Sequence, residues 1–435
     1  MNLVERIETY ILSNLKQPEE RRIGVEVECI FYNDRYRRLP VNPGNEFSAT
    51  DLLEVLTSQG ISDNPRPGYT LEPGGQLEWA SSPFKCLHDL QKQFIVHLKR
   101  LKEACEEYGL IQMDFALEPV YRPEDLDLIN MEKYRLMHRK FTRTGKLGPW
   151  MMRNTTSVQV NIDMVSAEDA AEIAFIADCL EPFCALLFAN SPFMVGKMTG
   201  KQNLRYQIWG DTDPTRCGYL MNHGIVSPKD LVRNYCEYIR QVPAIFILDQ
   251  RRQAVGFNGT LGEWLSKLWD RDELTDNLVL AALHQIFTHV RFKHVLEVRG
   301  ADRPPRGYEL APAAWWVGLL TATQARGKAL EIINRWSLED RKRLNRSAEI
   351  LDLNQAGPGG KTVRNWLEVI GNIALEGLDE RCRALKIPNE RVFLEPFLEN
   401  VLSNGIIALR TQRRFAASGM SLIDFLKRGR KEGMK

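Results

Sequence analysis

Between residues 22 and 32 the chain reads RIGVEVECIFY, and apolar and acidic positions alternate there. Val25 and Val27 fall on one face, Glu26 and Glu28 on the other, which predicts a strand with one packed and one charged side. Strand patterns recur over 69–81, interrupted at Pro73-Gly74-Gly75, and over 111–117, 157–164, 244–248 and 290–299. Helical spacing marks Leu3, Ile7, Tyr10, Ile11 and Leu15 in a packed first helix, then 50–58, capped by Thr50 or Asp51. A long helix over 87–108 puts Leu90, Phe94, Leu98, Leu101 and Cys105 on one side, and 167–189 is a helix rich in Ala and Leu. After Ala311 the pattern is helix upon helix: 312–326, 337–351, 363–378, 391–403 and 421–431. The fold class is therefore α+β, a mostly antiparallel sheet in residues 1–310 followed by a helical part, 311–435, packed on it rather than independent.

With 435 residues the chain is long enough to bury a sizeable core. Lys and Arg total 58 against 56 for Asp and Glu, a balance that gives no reason to expect nucleic acid or an anionic membrane as partner. No run of 18 apolar residues occurs and the N-terminus lacks a signal-peptide pattern, so a cytoplasmic location is expected. Eight scattered cysteines without a C-x-x-C pair read as buried small hydrophobes, with one regulatory disulfide left open.

Two motifs mislead. The stretch 355–362, QAGPGGKT, has Gln355 where a phosphate loop needs its first glycine, and a helix rather than a strand precedes it; a helix-to-helix turn is the better reading. His284, His289 and His294 recur every five residues, a spacing that gathers them on neither a helix face nor a strand face.

The acidic positions carry more. Glu26 and Glu28 share a strand face, Glu72 and Glu78 flank a glycine bend that can turn both into one cavity, and Glu297 shares a face with Arg299. For any single pair the plain reading is a solvated sheet face. Five carboxylates on three apolar strands are different, because clustered like charges persist only where cations compensate them. Mg²⁺ takes oxygen ligands and shares its shell with phosphates, which points to nucleotide chemistry on a sheet floor.

At these same residues the sequence resembles the glutamate–cysteine ligase family, in its plant and proteobacterial branch. The matching segments are IGVEVEC (23–29), LEPGGQLEWASSP (71–83), MEKYRLMHRKFTRTGKLGPWMMRNTTSVQVNIDM (131–164), LLFANSPFMVGK (186–197), IWGDTDPTRCG (208–218), VRFKHVLEVRGADRPP (290–305) and APAAWWVGLL (311–320), with FLEPFLENVLSNGI (393–406) near the end. The resemblance implies a glutamine-synthetase-like fold, a curved antiparallel sheet forming a funnel flanked by helices. It implies ATP, Mg²⁺, glutamate and cysteine as the bound species, in a monomer or homodimer. It places the metal carboxylates on Glu26, Glu28, Glu72, Glu78 and Glu297, with Gln159 as a further oxygen donor. Arg299 would stabilise the transferring phosphoryl group beside Glu297, and Arg205 would pair with the glutamate α-carboxylate. Trp209, Asp211, Asp213 and Arg216 would shape the same wall, although Trp209 reads equally well as a core residue. The chain departs from the family pattern at His138, in the segment holding Asn154 and Thr155, and at Ile245, where a tyrosine is usual. Those positions lie where substrates should bind and leave open an amine other than cysteine, while a silent ligand-binding relative stands as the non-enzymatic alternative.

Overall fold

The computed structural model describes residues 2–58 and 67–432. Seven strands make one sheet: β1 (Ile23–Asn33), β2 (Gly68–Leu71), β3 (Leu77–Ala80), β4 (Leu110–Met113), β5 (Val158–Ile162), β6 (Val290–Phe292) and β7 (Leu296–Val298). Their order is β6-β7-β5-β1-β3-β2 and every neighbouring pair is antiparallel. The 11 residues of β1 let its first part pair with β3 and β5 while its last part, Ile30 to Asn33, pairs with β4.

Alternation in sequence becomes two chemically distinct faces. Val25, Val27, Leu77, Trp79, Val158, Val160, Leu296 and Val298 are buried on one side. Registered opposite one another on the other side are Glu28 and Glu78, Glu26 and Gln159, Glu297 and Asn161, and Arg291 and Glu297.

Six helices frame the sheet and its polar face: α1 (Leu87–Glu107), α2 (Glu132–Thr144), α3 (Ala167–Leu187), α4 (Leu204–Gly210), α5 (Ala311–Thr321) and α6 (Val363–Leu385). Helix α3 starts at Ser166, whose hydroxyl accepts from Asp169 N, and is buried along nearly its whole length. With α5 it covers the apolar sheet face, and α6 packs on α5 from outside. Each large side chain fully buried there contributes about 1.5–3 kcal/mol. The α5–α6 crossing depends on glycines: a Cβ on Gly377 would lie 1.9 Å from Gly318 O. One apolar cluster runs from Leu3 to Ala408 and joins residues on both sides of position 310. All eight cysteines are free. Among the described residues no helix is long and apolar enough to cross a membrane.

Several boundaries differ from the pattern-based expectation. The run 290–299 is not one strand but the hairpin β6–β7, turned at Lys293-His294-Val295. Of 244–248 only Ile247–Leu248 is strand, paired with Ala254–Val255, because Ala244 and Ile245 are drawn into the core instead. The helix expected over 312–326 breaks at the extended Ala322 into Ala311–Thr321 and Thr323–Ile333. Helix α6 runs on to Leu385, and Ile407–Ser418 is a helix that the periodicity did not announce. The QAGPGGKT stretch is the expected connector, a short 3₁₀ turn at Pro358–Gly360 before Thr362 caps α6.

Candidate active site

The polar sheet face carries a compact anionic cluster. Glu28, on β1, faces Glu78, on β3, and Glu72 arrives from the turn after β2. Each of the three offers an oxygen, and these atoms all lie within 4.8 Å of one another. Glu28 accepts from Ser157 N at 2.7 Å and from Gln159 Nε2 at 2.8 Å; Glu78 accepts from Thr70 Oγ1 at 2.8 Å. Among the described residues none of the three is in a salt bridge, although the sheet face around them is rich in cations. Burial and then repulsion from Glu72 push Glu28 up to about 7. Burial, then Glu26, Glu72 and Glu28, push Glu78 well above the usual carboxylate range. Three all-oxygen donors, crowded together with no direct ion pair and only the more distant pull of cations such as Arg299 on Glu28 and Glu72, fit a hard divalent cation such as Mg²⁺.

Glu297 is held quite differently. It is fully buried, accepts from Arg291 Nε at 2.6 Å and Arg299 Nη1 at 2.8 Å through Oε2, and pairs as an ion with Lys293 Nζ, 2.5 Å from Oε1. Burial alone would raise its pKa, but those three cations hold it well below the usual range. Glu297 is thus the anchor of a cationic group, not a member of the three-carboxylate cluster. Glu26 lies between the two regions, accepting from Asn161 Nδ2 at 3.0 Å with Lys293 Nζ at 3.6 Å. Gln159 is also not a free oxygen donor: its amide oxygen accepts from Arg299 while its nitrogen donates to Glu28.

Arg299 reaches a second feature, a small cavity lined by Arg205, Tyr206, Trp209, Phe287, Thr288, His289 and Gly300 as well as itself. Its guanidinium carbon lies 5.8 Å from the Trp209 ring centre, a cation–π arrangement. Arg205, at 3% exposure, donates to Gly300 O at 2.9 Å and Arg299 O at 3.2 Å, with Asp302 3.5 Å away. It braces the Arg299–Gly300 peptide from the cavity wall. A third feature is a recess of about 200 Å³ at the start of β1, bordered by Asn14, Gly24, Glu26, Ser81, Asn161 and His294.

The other residues expected at the substrate site lie outside this cavity. Arg216 is fully buried, bonded to Asp213 at 2.7 Å, to Gln285 O at 3.1 Å and to Pro243 O, so its donors are spent on the chain itself. Asn154 donates to Tyr121 O and Thr155 to Met151 O, both at 2.9 Å, and neither borders the cavity. Ile245 is buried in an apolar cluster with Phe141, Met151 and Ile208. Residues not singled out in the sequence include Arg291 and Lys293, whose signal was present. Positions 291, 293, 297 and 299 are all charged, with Phe292, Leu296 and Val298 on the opposite parity. Arg38, which donates to the carbonyl of Gly74 in the turn that carries Glu72, sits in a loop and left no such trace.

The model of glutamate–cysteine ligase family 2 matches residues 22–421, almost the whole chain. The chain belongs to this family. Among family relatives, glutamate–cysteine ligase A, chloroplastic, of Oryza sativa subsp. indica is 28% identical over 404 residues, covering 87% of this chain and 78% of the relative. The chloroplastic glutamate–cysteine ligase of Arabidopsis thaliana is 28% identical over 394 residues, covering 87% and 74%. The crystal structure of glutamate–cysteine ligase from Francisella tularensis in complex with AMP superposes with a TM-score of 0.59 at 12% identity, over 93% of this chain and 86% of that one. At that identity the likeness concerns the fold, and it agrees with the glutamine-synthetase-like sheet expected from sequence.

Proposed function

We propose that this glutamate–cysteine ligase family member is an ATP- and Mg²⁺-dependent ligase joining the glutamate γ-carboxylate to the amine of cysteine, the opening step of glutathione synthesis. The observation that carries the reading is the placing on one sheet face of a carboxylate trio without a direct ion pair, Glu28, Glu72 and Glu78, beside Arg299 at a small aromatic cavity. Mg²⁺ held by the trio would neutralise phosphate charge and orient the nucleotide. The recess beside Glu26 suits the nucleoside, because Glu26 on its border shares a face of β1 with Glu28 of the cluster.

In the first step an oxygen of the γ-carboxylate attacks the terminal phosphorus of ATP. The bond from that phosphorus to ADP breaks, and an acyl phosphate forms. In the second step the amine attacks the acyl carbon and loses a proton, and the carbon–oxygen bond breaks as phosphate leaves. Arg299 serves the first step: its bonds to Glu297 and Gln159 both use Nη1, leaving its other nitrogens for the transferring group's oxygens. Tyr206, Trp209 and Phe287 serve the second by excluding the water that would compete for the acyl phosphate.

The test is phosphate release by the purified chain with ATP, Mg²⁺ and glutamate, with cysteine present or withheld, followed by a panel of small amines. Release that requires both amino acids supports the reading. Release that requires glutamate but prefers another amine would keep the acyl-phosphate step and replace cysteine. No release under any condition would favour the silent relative.

A further inference from the structure

Glu28 and Glu78 are placed by a strand ladder, but Glu72 is not in a strand. It opens the turn Glu72-Pro73-Gly74-Gly75-Gln76, so its position depends on whatever holds that turn. Inside the turn, Gly75 N donates to Glu72 O at 2.8 Å and Glu72 N to Gln76 O at 2.9 Å. Gly75 takes φ +76°, where a side chain would be strained. Gly74 lies so close to the neighbouring chain that a Cβ there would be 2.5 Å from Arg153 Cα. Gln76 Nε2 donates to Thr155 O at 2.9 Å, and Ile129 N to Pro73 O at 2.9 Å.

One further tie reaches the turn from the loop that follows β1. Arg38 Nη2 donates to Gly74 O at 3.0 Å and its Nη1 to Phe31 O at 3.4 Å. Phe31 belongs to β1, three residues beyond Glu28, so a single guanidinium links the strand that carries Glu28 to the turn that carries Glu72. Arg38 is buried, and its Nε lies 3.5 Å from Oε2 of Glu118, which is fully buried. Glu118 is fixed in turn by the Tyr32 hydroxyl, by Val120 N at 3.0 Å and by Tyr121 N at 3.3 Å. The fork of an arginine can hold two carbonyls and a carboxylate at once; a lysine ammonium cannot span them.

We propose that Arg38, braced by Glu118, is a positioning residue that sets Glu72 against Glu28 and Glu78 and thereby sets the affinity of the cluster for a divalent cation. The proposal rests on the reading of that cluster as a metal site. Arg38 contacts no member of the cluster; it acts through the Gly74 carbonyl.

The test uses Mn²⁺ as probe, with its binding to the full chain followed by electron paramagnetic resonance without nucleotide, beside thermal melting. Arg38→Lys keeps a cation next to Glu118 but loses the double reach. Arg38→Met combined with Glu118→Gln removes both charges, so that no buried ion is left unpaired. Both variants should bind Mn²⁺ about tenfold more weakly than wild type while still melting cooperatively, the size expected when an outer support of a metal ligand is lost. Affinity within about twofold of wild type in both would overturn the proposal, and so would weaker binding seen only where cooperative melting is lost. Glu78→Gln is the control: if wild type binds no Mn²⁺, or Glu78→Gln binds it as well as wild type, the metal reading itself fails and the role of Arg38 fails with it.

Discussion

The side-chain amide of Gln159 donates to Glu28 Oε1 at 2.8 Å, and its oxygen accepts from Arg299. One amide therefore couples the anionic cluster to the cation beside the cavity, and both of its ends are used. Gln159→Leu fits the strand but removes both bonds, freeing Arg299 to follow Glu297 alone. The expected result is a fall in kcat of about 10–100-fold, the range found when outer supports of a site are removed. Steady-state kinetics with glutamate, ATP and cysteine check it, and an unchanged kcat would remove Gln159 from the mechanism.

The cluster also links stability to pH. Glu28 rises from the ordinary 4.5 to about 7 through burial and the nearby Glu72. A carboxyl whose folded pKa lies above its unfolded one makes its full contribution to stability below the unfolded value and loses it as pH climbs through the folded value. The metal-free protein should therefore lose melting temperature between about pH 4.5 and pH 8. Saturating Mg²⁺ should raise the melting temperature more at pH 8 than at pH 5, because the ion binds the deprotonated cluster. Melting curves across pH with Mg²⁺ or with chelator read this directly. A Mg²⁺ effect independent of pH would contradict the assignment of the cluster as its site.

Glu297 and Glu78 should fail in different ways when each is changed to Gln. Losing the Glu297 carboxylate strands Arg291, Lys293 and Arg299 without their shared anion, a loss of about 3–5 kcal/mol for a buried pair broken from one side. Glu297→Gln should lower both melting temperature and kcat while Mn²⁺ affinity stays near wild type. Glu78→Gln should do the reverse: it relieves repulsion in the metal-free protein, so stability holds or rises, while Mn²⁺ binding is lost. Calorimetric melting and Mn²⁺ titration on both variants separate the two roles. If Glu297→Gln lost metal binding and kept stability, the two assignments would have to be exchanged.

The sequence made the sheet face legible because period-two alternation survives in β1, β3, β5 and the β6–β7 hairpin. Glu26 and Glu28 share their face in the structure as in the pattern. It could not show that 290–299 folds back on itself, since Arg291, Lys293, Glu297 and Arg299 fall on one side in either arrangement. Nor could it divide the carboxylates. Whether Glu297 meets a metal or three cations depends on the turn at Lys293-His294-Val295, a tertiary fact. The resemblance put Arg205 and Arg216 on one wall of the pocket, the first as the carboxylate anchor and the second as part of its lining. In the fold one lines the cavity and the other is sealed under Asp213, Gln285 and Pro243.

Arg205 itself allows a decision between two roles. As a substrate anchor, its loss would raise the KM for glutamate. As the brace seen here, holding Arg299 O and Gly300 O, its loss would misplace Arg299 and lower kcat. Arg205→Lys keeps the charge near Asp302 but not the two-carbonyl grip. The expected split is a drop in kcat of at least about tenfold with a smaller change in KM. A rise in KM for glutamate with kcat intact would restore the anchor role and discard the brace.

The helical part of the chain bears on the site through one crossing. Helices α5 and α6 touch backbone to backbone at Gly318 and Gly377: a Cβ on Gly377 would lie 1.9 Å from Gly318 O, and one on Gly318 would lie 2.2 Å from Ala374 O. Both helices are rigid, so neither oxygen can move aside without shifting α5, which supports β5 from below. Gly377→Ala gains helix propensity in principle, yet here the overlap should dominate and destabilise the fold by about 1–3 kcal/mol. Since β5 carries Gln159, part of that shift should reach the site as a lower kcat at temperatures where the variant is still folded. Chemical denaturation measures the first effect and kinetics well below the melting temperature the second. A variant as stable as wild type would mean that α5 and α6 separate more readily than this close crossing implies.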